Sequence, residues 1–161
     1  MKTRLFSINF FEIILIIFLI YLIIILILFI FQRNLLYHPK INKYYSQSLN
    51  HEIKNIYIGK KHKLKAWYHF KNNRYKTLLF FHGNAGNLEN RIYKLNEISK
   101  LNINYLIFAY RGFDNNPGKP SELVLYEDAN SAISWLNSNN IPDSKIILYG
   151  ESLGTGVAIH I

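Results

Sequence analysis

The stretch that most constrains this chain is Ile146 to Gly156, IILYGESLGTG. Ile146 to Tyr149 reads as a short buried strand, and Gly150-Glu151-Ser152-Leu153-Gly154 fits the G-x-S-x-G spacing directly after it. From Thr155 onward a helix is expected. A strand that becomes a helix this abruptly holds the central residue in a strained backbone conformation. It also brings the residues two places to either side into close approach, so glycine is required at both 150 and 154. Ser152 would stand at the carboxyl end of a strand and the amino end of a helix. There the Leu153 amide can donate to the oxyanion formed when a carbonyl is attacked. The competing reading is a Gly-rich turn with an incidental serine. The strand-like run before the pentapeptide and the helical pattern after it favour the elbow, with Ser152 as candidate nucleophile.

At 161 residues the chain has room for one modest domain, but part of it is unsuited to a soluble core. Residues 11–31, FEIILIIFLIYLIIILILFIF, are apolar apart from Glu12 and one tyrosine. As a helix they span roughly 30 Å, one membrane crossing. A cleaved signal peptide would have a shorter apolar run and an A-x-A-like site before Gln32-Arg33, so the segment reads as an uncleaved single-pass anchor in membrane lipid. Its flanks nearly balance, with Lys2 and Arg4 on one side and Arg33, Lys40 and Lys43 on the other, and the charge rule selects neither orientation. The chain then divides into an amino-terminal tail (1–10), the anchor (11–31), a linker (32–52) and a partial domain (53–161).

The formal charge of +9 raises the question of nucleic acid as a partner. The lysines are spread among asparagines and isoleucines without an RNP, helix-turn-helix or zinc pattern, so a solvated basic face is expected and no nucleic-acid partner. Attraction to lipid headgroups is a secondary effect beside an anchor. The absence of cysteine excludes disulfides, a thiol nucleophile and thiolate metal sites. His62 and His69 have no partner at ligand spacing, and no metal or cofactor is expected. His38 and His51 read as solvated linker histidines, with Pro39 disfavouring helix at His38.

Ile53 to Ile58 and Leu64 to Phe70 alternate apolar and polar residues about Gly59-Lys60-Lys61-His62, an antiparallel hairpin with Lys54, Lys63 and Lys65 on its wet face. Such a face suits an outer strand pair. Thr77 to Phe81 is a run for a strand buried on both faces and leads into His82-Gly83-Asn84-Ala85-Gly86-Asn87, a loop able to offer amides to an anion. A helix is expected over Leu88 to Leu101, a buried strand over Tyr105 to Tyr110, and a helix from Ser121 to about Asn140 with Leu125, Ala129, Ala132, Ile133 and Leu136 inside. From Thr77 the order is βαβαβα, which implies a parallel α/β sheet with ligands beyond the carboxyl ends of its strands.

With His82 to Asn87, Tyr110-Arg111-Gly112-Phe113, Pro120-Ser121-Glu122 and Gly150 to Gly154 in hand, the chain resembles the α/β-hydrolase superfamily. Within it, the chain is similar to the membrane-anchored BEM46 type. The resemblance runs from the anchor to Ile161 and implies a serine hydrolase acting on a small-molecule or acylated substrate. In that reading Ser152 attacks an ester, thioester or amide carbonyl, and the amides of Leu153 and Asn84 hold the oxyanion. It also implies that His82 lies beside the oxyanion hole without being the base, and that Arg111 ties neighbouring loops together. Where relatives continue Y-R-G-Y-G with glycine and serine, this chain has Asp114-Asn115-Asn116-Pro117.

The family's catalytic Asp and His follow the nucleophile on later strands. Here the sole later histidine, His160, is eight residues along a helix, roughly 12 Å from Ser152 along the axis and too far to take its proton. The expectation is therefore the amino-terminal part of a hydrolase sheet, truncated after the elbow, with little or no turnover and with the Ile146 to Tyr149 strand unpaired on one side. Two other readings stand beside it: a pair of Ser152 with His82 as base, and a non-catalytic membrane protein whose partial domain is a binding or assembly module.

Overall fold

The computed structural model describes residues 9–39 and 48–161, so Lys2, Arg4, Lys40, Lys43, Tyr44 and Tyr45 lie outside the described residues. The chain divides into two units, residues 1–36 and 37–161.

In the first unit, α1 (Phe10–Leu36) is a helix of 27 residues, about 40 Å long. Asn9 and Glu12 cap its start reciprocally: the Asn9 amide donates to Glu12 Oε2 at 2.8 Å and the Glu12 amide to Asn9 Oδ1 at 2.9 Å. The one acidic residue of the apolar run is thereby accounted for as a cap. None of the side chains of α1 is buried, and the helix is long and apolar enough to cross a membrane. It continues through residues 32–36, expected as linker. Arg33 in its last turn complements the helix dipole, and Pro39 keeps the following residues out of helix.

The second unit contains, in chain order, β1 (His38–Pro39), β2 (Lys54–Ile58), β3 (Leu64–His69), β4 (Thr77–Phe81), β5 (Ala85–Gly86), α2 (Ile92–Ile98), β6 (Asn104–Phe108), α3 (Glu122–Ser138), β7 (Ile146–Gly150) and α4 (Leu153–His160). Five of the strands form one sheet in the order β2-β3-β6-β4-β7. β2 and β3 are the expected antiparallel hairpin, Lys54 opposite Tyr68 and Ile58 opposite Leu64. β3 runs antiparallel to β6, while β4 lies parallel between β6 and β7. This central place explains the unbroken apolar run TLLFF: every residue of β4 is buried. α3 turns Leu125, Ala129, Ala132 and Leu136 inward, and Trp135 meets Tyr68 of β3 edge to face at 5.2 Å.

The helix expected over Leu88 to Leu101 is interrupted. Leu88–Arg91 is a 3-10 turn, and α2 begins only at Ile92. Asn87 and Asn90 form a reciprocal cap across the turn, and the Arg91 guanidinium takes the Asn87 carbonyl at 3.1 Å. That carbonyl would otherwise receive the first α-helical bond. His51 also departs from its expectation as a solvated linker residue. It is half-buried, 2.6 Å from the Tyr105 hydroxyl through Nε2 and edge-on to His69 at 4.6 Å. Burial lowers its pKa, helped by the neighbouring His69 and Lys71.

The Asp114-Asn115-Asn116-Pro117 loop closes tightly without the glycine of the family pattern. Asp114 and Asn115 take left-handed conformations, φ 51° and 64°, which Asp and Asn tolerate better than other side chains. The Asn116 amide group then bonds the Ala109 carbonyl at 2.6 Å, and Lys65 reaches Asp114 at 3.2 Å.

Candidate active site

β7 ends at Gly150 and α4 starts at Leu153, so the reversal falls on Glu151 and Ser152. Ser152 absorbs it, with φ 51° and ψ −117°, a region L-residues rarely occupy. The Glu151 amide donates to the Phe81 carbonyl at 2.9 Å, Gly154 N–H to Glu151 at 2.9 Å, and Thr155 N–H to Ser152 at 2.9 Å. A Cβ on Gly154 would overlap the Phe81 carbonyl oxygen, and one on Gly150 would overlap the Thr155 backbone. Both glycines are therefore required by close approach, as the spacing implied. Ser152 is exposed. Leu153 is the first helical residue, so its amide has no carbonyl within α4 to bond and is free to face an incoming anion.

The loop following β4 lies beside this elbow because Phe81 is in register with Gly150. Gly83 approaches Glu151 so closely that a Cβ would lie 3.2 Å from its Oε1. Asn84 is in the same loop, and its carbonyl accepts the His38 amide at 2.8 Å. The structure thus gathers Asn84, Gly150, Glu151, Ser152, Leu153 and Gly154 at the carboxyl ends of β4 and β7.

His82 is wholly buried. Its Nδ1 donates to the Gly83 carbonyl at 2.7 Å and its Nε2 accepts the Tyr110 amide at 3.4 Å, so both ring nitrogens are committed to the backbone. Burial, with the Arg91 charge adding to it, pushes the imidazole pKa down to about 3. A neutral imidazole with its lone pair taken is no acceptor for the serine proton, which removes the Ser152–His82 pair. His160 stacks on Tyr126 of α3, ring centroids 3.5 Å apart.

Glu151 is held by two cations, Arg91 Nη2 at 3.0 Å and Lys94 Nζ at 2.6 Å. Burial pushes its carboxyl pKa up, but the Lys94 bond and the Arg91 charge outweigh that and leave it below the usual range. Arg91 also donates through Nη1 to the Ala85 carbonyl at 2.6 Å, so a single buried guanidinium links the loop to the elbow. Sequence reasoning passed over it, although a signal was present: position 91 falls on the inner stripe of Leu88, Ile92 and Leu95, where a charge demands partners. Arg111 serves a different purpose from the expected tie between loops. It fastens the end of β6 to α3, through Nε to Asp128 at 2.6 Å and Nη2 to Glu127 at 2.6 Å.

No protein-family model matches the chain. It is 41% identical over 87 residues to protein bem46 of Schizosaccharomyces pombe, covering 53% of this chain and 29% of that one. It is 33% identical over 89 residues to the lysophosphatidylserine lipase ABHD12 of Xenopus tropicalis, covering 54% of this chain and 23% of that one. Its fold matches an esterase of Pyrococcus furiosus with a TM-score of 0.63 at 23% identity, over 78% of this chain and 51% of the esterase. The chain resembles the amino-terminal part of a BEM46-like α/β-hydrolase. The matched residues amount to less than a third of the length of these two curated relatives. Among the described residues of this hydrolase part, no group of three or more His, Cys, Asp or Glu could hold a metal ion.

Proposed function

We propose that the chain supplies the nucleophile and oxyanion half of a membrane-anchored serine hydrolase. Ser152 Oγ adds to the carbonyl carbon of an ester, thioester or amide while its proton passes to a base. The oxyanion rests on the Leu153 and Asn84 amides. Expulsion of the alcohol, thiol or amine leaves an acyl-enzyme, which water cleaves. The observation that carries this reading is the Ser152 backbone, held at φ 51° on an exposed turn whose glycines admit no side chain. Strain of this kind persists only where the surroundings impose it. A relative named as a lysophosphatidylserine lipase, together with the apolar α1, favours an acyl ester of an amphiphile as substrate.

The step requires a base, a role that neither His82, with both nitrogens bonded to backbone, nor His160, stacked on Tyr126, is placed to take. Without it, turnover is expected to be lower by about a millionfold. Exogenous imidazole should substitute in part. The expected result is slow labelling of the chain by a fluorophosphonate probe, accelerated by imidazole, mapped to Ser152 by peptide mass spectrometry and absent in Ser152→Ala. Equal labelling of the two proteins, or none at saturating probe and imidazole, overturns the proposal.

One observation favours the alternative of a non-catalytic assembly module: Ile147, Leu148 and Tyr149 of the edge strand β7 are exposed. A chain that forms a defined complex through β7 and is never labelled at Ser152 would support that reading.

A further inference from the structure

Each half of the candidate site is held from a different side. The elbow is fixed by its own helix and by the β4 register. The loop 82–87 has only the short β5 as regular structure, yet an oxyanion donor must keep its place to within about half an ångström to be useful. Arg91 holds this loop from the α2 side through the Ala85 and Asn87 carbonyls. On the other side the loop is bound by β1. His38 is in parallel register with Ala85 and Pro39 with Gly86, and the His38 amide donates to the Asn84 carbonyl at 2.8 Å. Tyr37, next to this strand, is buried in the domain core. The two residues of β1 follow α1 after a single intervening residue in the chain.

We propose that β1 is a positioning element of the site: the backbone of His38 sets the Asn84 peptide, and with it the candidate oxyanion donor. The inference rests on reading Asn84 as that donor. The peptide carbonyl and the amide of the same residue are held within one short loop segment, so fixing the Asn84 carbonyl against β1 limits how far its N–H can swing. The work is done by the backbone amide at 38, while the imidazole of His38 is exposed. A direct consequence is that the segment emerging from α1 is part of the site, and a protein shortened to the β2 hairpin would lose the strand that holds the loop.

Proline at 38 keeps an extended chain and removes the donor; alanine removes the imidazole and keeps it. In the full chain, His38→Pro should raise hydrogen exchange in the peptide spanning 82–90 by at least tenfold, while β4 and β6 stay as protected as in the wild type. His38→Ala should leave all of them unchanged. Imidazole-assisted fluorophosphonate labelling of Ser152 should fall at least tenfold in His38→Pro, with the melting temperature held, and return to the wild-type rate in His38→Ala. Should His38→Pro fail to fold, His38→Gly carries the test, since it keeps the amide and slackens the strand: intermediate exchange is expected. Unchanged exchange over 82–90 in the folded proline or glycine variant overturns the proposal, as does an equal loss of labelling in His38→Ala. If wild-type Ser152 is not labelled at all, the hydrolase reading fails, while the exchange result still decides whether β1 holds the loop.

Discussion

Ser152 is held where its own conformational preference opposes the fold, since φ 51° with ψ −117° suits glycine and costs an L-residue about 1–2 kcal/mol. Ser152→Gly relieves that strain and gives back part of it through the greater freedom of the unfolded chain, so denaturant melts should show a net gain of about 1 kcal/mol. The same variant should lose all labelling at position 152; a neutral or destabilising effect would mean that the strain is not real. The pattern G-x-S-x-G announced this geometry because only glycine fits at 150 and 154. It carried no sign of how His82 is used. That side chain is buried with both nitrogens bonded, and its pKa of about 3 lies below the ordinary histidine value near 6.5. A depressed histidine pKa gives stability that is complete above the unfolded value and is lost as pH falls, because only the unfolded chain takes up the proton. Between pH 6 and 3 the domain should lose up to about 1.4 kcal/mol per pH unit from this group. His82→Gln, which cannot titrate, should lower the proton uptake on unfolding by one in that window; an unaltered pH slope would count against the buried neutral imidazole.

At the scale of elements, periodicity served well wherever the core alone decides. β4 and β6 were legible as apolar runs, the hairpin as alternation, and the inner stripe of α3 as spacing by three and four. It failed over Leu88 to Leu101, where the 3-10 turn comes from side chains bonding backbone: the reciprocal Asn87 and Asn90 cap and the Arg91 guanidinium on the Asn87 carbonyl. Nor could it find β1 or β5, two residues each, too short to show any period. The hairpin edge and the β7 edge differ in a way the sequence did suggest. β2 exposes Lys54 and Asn55, which discourage pairing, whereas β7 exposes Ile147, Leu148 and Tyr149 in succession. The isolated chain should therefore self-associate through β7. Leu148→Lys should shift detergent-solubilised protein towards monomer in analytical ultracentrifugation, without altering the exchange protection of β4. Association that is unaffected by Leu148→Lys would place the contact elsewhere.

For the whole molecule, composition divides the chain more sharply than any motif does. α1 carries 27 residues with no buried side chain, while the unit that follows buries Phe80, Phe81, Tyr105, Leu106, Ile107 and Phe108 completely. A helix with this long an apolar run, which satisfies its own backbone bonds and caps its one acid, could cross a lipid bilayer. The competing role for such a segment is a cleaved leader, and the two make opposite predictions. As an anchor, α1 stays on the chain: intact mass should include residues 1–36, and the protein should remain with the membrane pellet after alkaline carbonate. Two arginines near the middle, Ile20→Arg with Ile24→Arg, cost on the order of 3 kcal/mol each for insertion and should move the chain into the supernatant. Because β1 follows α1 after a single residue and bonds the Asn84 loop, a cleavage just after α1 would also free one end of that strand. Wild-type protein that is recovered shortened, or that carbonate extracts, would show that α1 is not what holds this domain to a membrane.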